Sequence, residues 1–167
     1  ADAGSAPGTA PLPPVKRLAL LLTLPLLLVF GTTARAGDVR IRKVLPHFMD
    51  EQGRISVSPS LFDRDTYQQT LRENPSRVSG IRFDVQWKCP KNRRAGMVVR
   101  LELRTARGEP GKSRVIEAPA QENRRLGGWS SVMLSGNDYA ASGEVLAWRA
   151  VLLENGREVA EQKSFLW

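Results

Sequence analysis

Cysteine and histidine occur once each in the 167-residue chain, and those two scarcities remove several chemistries. A lone Cys89 makes no internal disulfide, so the fold must hold without staples. Its setting, Trp87-Lys88-Cys89-Pro90, is that of a small residue half-buried at a strand end. Cys89 and His47 together are too few for a zinc site, which takes several Cys or His ligands. Ser/His/Asp or Cys/His catalysis would have to use His47, yet no Gly-x-Ser-x-Gly elbow is present and no papain-like context surrounds Cys89. Neither the Walker spacing nor a dinucleotide fingerprint occurs, so no Gly-rich loop is set to cradle phosphate. Carboxylates are plentiful, but Asp50-Glu51 with Gly53, Asp63 with Asp65, and Asn137-Asp138 all lack EF-hand spacing. The sequence therefore assigns no catalytic residue, no metal ligand and no cofactor. A hydrolase built on unrecognised carboxylates is the enzyme class left open.

A long apolar run is missing too. Leu18 to Phe30 is interrupted by Pro25 and falls short of the ~20 apolar residues that a membrane-spanning helix needs. Lys16 and Arg17 precede it and Ala34-Arg35-Ala36 follows it. A basic patch, a short greasy core and a small-x-small site predict a secretory signal peptide over residues 16–36. Residues 1–15, rich in Ala, Gly, Pro and Ser, read as a disordered extension. The mature domain is then 37–167, with a periplasmic or extracellular destination. Cleavage removes Lys16, Arg17, Arg35 and Asp2 from a chain of formal net charge +8, so the mature part stays basic. Such a surface favours anionic partners: acidic polysaccharide, lipid headgroups or nucleic acid.

What is present is extended chain. Val39 to Leu45 mixes apolar and basic residues and reads as an edge strand ended by Pro46, with Arg54 to Val57 a second short extended piece. Ser58 to Asn74 reads as one helix capped by Ser60, with Asp63 and Asp65 in its first turn and Asn74-Pro75 as its stop. Strict alternation follows in Gly80 to Lys88 and Met97 to Thr105, then shorter strands over Ser113 to Ala118 and Trp129 to Leu134. In Ser135 to Gly143, one helical turn is expected around Tyr139, capped by Ser135 or Asn137.

The chain ends in a hairpin around Asn155-Gly156, the pair that best tolerates the positive φ values of a type I′ turn. A simple two-residue loop would place Leu146, Trp148, Ala150, Leu152, Val159 and Phe165 on one core face, with Leu152 opposite Val159 and Trp148 opposite Lys163. A bulge in the second arm would swap some of them. Short strands with Gly/Pro punctuation and no βαβ rhythm predict an all-β fold. The expectation is an immunoglobulin-like antiparallel β-sandwich of seven to eight strands with one short helical insertion. A transmembrane barrel fits poorly, because its strands need ~10 residues each and a wall of strands leaves no place for the helix.

Basic residues gather in two predicted loops. Lys88, Lys91, Arg93 and Arg94 surround the first; Arg124 and Arg125 lie in the second, shortly before Trp129. If the loops meet at one end of a sandwich, Trp129 beside them can stack on a sugar or a base. These seven residues are the candidate ligand-binding set. The partner expected is an anionic polymer or another envelope protein, the latter joined by strand addition at an exposed edge.

The stretches Val44-Leu45-Pro46-His47-Phe48, Leu61-Phe62-Asp63-Arg64-Asp65-Thr66-Tyr67-Gln68 and Ile81-Arg82-Phe83-Asp84-Val85-Gln86-Trp87-Lys88 resemble small exported bacterial proteins of unassigned function. So do Ala147-Trp148-Arg149 and the ending Glu161-Gln162-Lys163-Ser164-Phe165-Leu166-Trp167. The resemblance implies an exported, single-domain, immunoglobulin-like sandwich and supplies no catalytic residues.

Overall fold

The computed structural model describes residues 1, 4, 39–90, 96–120 and 128–167. The expected signal peptide, and the expected N-terminal extension apart from residues 1 and 4, lie outside the described residues. Among the described residues seven strands form: β1 Arg40–Met49, β2 Gly80–Lys88, β3 Met97–Thr105, β4 Arg114–Pro119, β5 Gly128–Ser135, β6 Val145–Glu154 and β7 Arg157–Lys163. They pair antiparallel into a three-stranded sheet, β1-β2-β5, and a four-stranded sheet, β4-β3-β6-β7. This is an all-β sandwich. Two helices accompany it, α1 Leu61–Glu73 and α2 Gly136–Ser142. The single helical insertion expected from the sequence is thus joined by a second short helix where one turn was expected.

The core is where alternation placed it. Phe83, Val85 and Trp87 of β2 face Val99, Leu101 and Leu103 of β3, and each is essentially inaccessible to water. Burying one such side chain contributes about 1.5–3 kcal/mol. Trp87 carries a polar atom into this core and must satisfy it. Its indole N–H donates to the buried Ser130 hydroxyl at 3.1 Å. Phe83 and Trp148 meet edge to face across the two sheets, with centroids 6.3 Å apart. Cys89 is buried at the end of β2, 2% exposed.

Four local expectations need correction. Pro46 does not end β1: the strand runs on to Met49, with Pro46 opposite Phe83. β1 is an edge strand, and an edge has a row of N–H groups with no partner strand, so a proline there loses little. A register shift between Ile41 and Lys43 turns Lys43 outward. The second correction is Arg54 to Val57, which forms no strand; its backbone is engaged by Asp50 and Gln68 instead.

The third correction is the terminal register. The turn residues have the positive φ values of a type I′ hairpin, 50° at Asn155 and 79° at Gly156. A bulge then leaves Val159 unpaired, so Leu152 faces Ala160 and Arg149 faces Lys163. The bulge moves Glu161 to the face of Arg149, whose guanidinium bonds Glu161 at 2.7 Å, Glu158 at 2.6 Å and Glu102 at 3.1 Å. Fourth, Phe165 is not in the core. β7 ends at Lys163, Ser164 hydrogen-bonds Trp148 on both its hydroxyl and its amide, and the chain turns away. Phe165 is 101% exposed and Leu146 is 51% exposed. Ala150, Leu152, Trp148 and Val159 do pack as expected.

Candidate functional site

Alternation in β5 decides what the outer face of the three-stranded sheet carries. Gly128, Ser130, Val132 and Leu134 point inward; Trp129, Ser131 and Met133 point to solvent. Cross-strand register then arranges side chains in rows. Arg40 lies opposite Lys88. Below them Lys43, Gln86 and Trp129 form a row across all three strands, followed by Leu45, Asp84 and Ser131, then His47, Arg82 and Met133. Trp129 is 41% exposed, large for an indole with no core role.

The lower rows are internally satisfied. Asp84 accepts from the Ser131 hydroxyl at 2.6 Å and from the Arg82 guanidinium at 2.7 Å. His47 Nε2 lies 3.7 Å from the same carboxylate. Burial holds the imidazole pKa below its ordinary value; Asp84 opposes this, and Arg64 and Arg82 reinforce it. The imidazole is therefore neutral at pH 7. In a Ser/His/Asp site the hydroxyl gives its proton to the imidazole. Here the Ser131 hydroxyl donates its hydrogen bond to Asp84, an arrangement that orients the two side chains.

The upper rows are basic and open. Of the candidate residues, Lys88 closes β2 and Trp129 stands on β5; Lys91, Arg93, Arg94, Arg124 and Arg125 lie outside the described residues. The strand ends that anchor their two loops are adjacent. Trp87 pairs with Gly128, and the Ala120 amide donates to the Met97 carbonyl at 2.9 Å. The described strand ends on either side of both loops therefore lie at the same end of the sandwich as Lys88 and Trp129. The sequence singled out Lys88 and Trp129 but missed Arg40, Lys43 and Gln86. Only strand register brings those three beside them, and the bulge in β1 hid the outward turn of Lys43.

Two of the acidic positions considered for calcium, Asp50 and Asp138, are engaged elsewhere. Asp50, 2% exposed, accepts from the amides of Gln52 and Arg54, the Arg54 guanidinium and the Tyr67 hydroxyl. Burial pushes its pKa up, and these donors outweigh that and hold it at about 2. Asp138 pairs with Arg114 at 2.7 Å. Among the described residues no three His, Cys, Asp or Glu gather as metal ligands.

Compared with protein-family models, curated proteins and solved structures, the chain matches none. The reading of the site rests on its own geometry.

Proposed function

We propose that the protein is an exported, non-enzymatic binding module. It holds an acidic polysaccharide against the basic end of the three-stranded sheet. The observation that carries this reading is the Lys43–Gln86–Trp129 row, lying directly beneath the anchors of two loops rich in Lys and Arg. An indole face stacks on a sugar ring, a neighbouring amide both donates to and accepts from hydroxyls, and the surrounding cations pair with carboxylate or sulfate groups. Export is supported by the leader-like composition of residues 16–36.

Retention on immobilised heparin tests the reading, with soluble polyuronate, neutral glycan and single-stranded DNA as competitors. Affinity for the acidic glycans is expected to fall steeply between 50 and 300 mM salt, because screening shortens the reach of each cation. Trp129→Ala is expected to weaken binding by roughly 5- to 100-fold, the range for loss of one stacked ring. Lys43→Gln and Lys88→Gln are each expected to flatten the salt dependence. Absent or salt-insensitive retention refutes the proposal, and preferential competition by DNA reassigns the ligand to nucleic acid. Export is tested by sequencing the mature N-terminus from producing cells; a start at Gly37 is expected.

A further inference from the structure

At the opposite end of the strands a cleft of about 500 Å³ opens between α1, α2 and the β3–β4 turn. It is within the ~300–1,000 Å³ range of small-ligand sites. Phe48, Leu71, Val78 and Tyr139 supply its apolar wall, and Arg72, Arg107 and Glu144 its charges. The Tyr139 hydroxyl makes no hydrogen bond among the described residues. Burial, and then the nearby Glu144, push its pKa up, so it stays a protonated donor.

Both arginines are aimed by neutral partners. An Nη of Arg107 donates to the Ala140 carbonyl at 2.7 Å, and its side chain runs close over Gly143, where a Cβ would come within 3.2 Å of Arg107 Cγ. Arg72 donates to Gln69 at 2.9 Å and holds its guanidinium 5.9 Å from the Phe48 ring centre. Neither meets a carboxylate among the described residues, whereas Arg54, Arg82, Arg100, Arg114 and Arg149 each do. Two fixed cations and Glu144 leave one positive charge unbalanced beside an apolar trough.

We infer that this cleft binds a linear amphipathic monocarboxylate, its acyl chain along Phe48, Val78 and Tyr139 and its head group against Arg72 and Arg107. The inference does not depend on the polysaccharide reading. One excess positive charge matches a monoanion, and the volume and apolar wall match a hydrocarbon tail.

Calorimetric titration of the full chain with octanoate, decanoate and dodecanoate tests it, with decanol and decyltrimethylammonium as neutral and cationic controls. Each added methylene is expected to tighten binding about fourfold until the cleft is filled. The double variant R72Q/R107Q is expected to weaken decanoate at least tenfold and leave decanol unchanged, while E144Q tightens decanoate. A140W, at an exposed helix position that fills the cleft, abolishes binding of both; this separates the cleft from any other apolar segment of the chain. Decanoate binding no tighter than decanol, or unmoved by both A140W and R72Q/R107Q, overturns the inference. The glutamine variants change only exposed side chains, so the result does not hang on the folding of A140W.

Discussion

Asp50→Asn isolates one of the contacts that tie α1 to the sandwich; Gln68, bonded to the Phe48 backbone, is another. One carboxylate oxygen accepts the amides of Gln52 and Arg54 at 2.9 and 2.8 Å; the other accepts the Arg54 guanidinium at 2.8 Å and Tyr67 at 2.6 Å. Asparagine keeps the first oxygen and replaces the second with a donor, so the guanidinium loses an acceptor and the phenol must turn round. Losing one charge-assisted bond and straining another costs about 2–3 kcal/mol, a Tm drop of roughly 5–10 °C. The pH dependence carries the sharper signature. The folded pKa, about 2, lies below the ordinary aspartate value of 3.8. The stabilisation is therefore complete above pH 4 and is lost as pH falls through 2. Unscreened, that shift corresponds to roughly 2 kcal/mol; the carboxylate is buried but its Arg54 partner is half exposed, so solvent screening leaves about 1 kcal/mol. Urea unfolding of wild type and variant from pH 6 down to pH 2 measures the gap between them. It should narrow by about 1 kcal/mol at the acid end. A gap that stays constant across that range refutes this account of Asp50.

Ser130→Ala leaves the Trp87 indole N–H, bonded at 3.1 Å, without its buried acceptor, and is expected to cost about 1–3 kcal/mol in urea unfolding; a neutral result shows that the N–H finds another partner. Gly80→Ala would bring a Cβ to 2.6 Å from the Leu134 carbonyl oxygen and 2.8 Å from Met49 Cε, and a loss of more than about 2 kcal/mol is expected; an unchanged Tm refutes the close strand approach. Phe165→Ser removes an apolar side chain that is 101% exposed and should change stability by less than about 0.5 kcal/mol; a large loss would return Phe165 to the core.

The middle of the molecule was legible because period-two alternation is a direct physical record of burial. Gly80–Lys88 and Met97–Thr105 emerge with the bounds that alternation drew. α1 starts after Ser60, whose hydroxyl accepts the Asp63 amide, and stops at Asn74, as the cap and the proline require. What escaped the reading was set by events of a single residue. A bulge at Val159 cannot be inferred from hydrophobicity, because both registers bury Ala150 and Leu152. Pro46 looked like a terminator because edge position is a property of the sheet and not of the local chain. The cleft was illegible for a related reason: Phe48, Leu71 and Tyr139 come from three separate elements and share a surface only once the helices have docked.

The positions of these features set how the molecule divides its labour. Every residue of β2 between Gly80 and Lys88 alternates between core and outer face, and at ~3.3 Å per residue that strand holds the two ends roughly 27 Å apart. At physiological salt charges are screened over ~8 Å, so the cations near Lys88 and Trp129 do not feel those of Arg72 and Arg107. Close packing through Phe83, Val85, Trp87 and their partners leaves little freedom for one end to deform the other. Stability is therefore concentrated in the shared centre, and both proposed sites lie at the ends of the strands. There, exposed indole, guanidinium and ammonium groups change the surface without disturbing the core. A polymer laid across the basic end and a small carboxylate in the opposite cleft would each meet a site whose geometry is fixed in advance by the same two sheets.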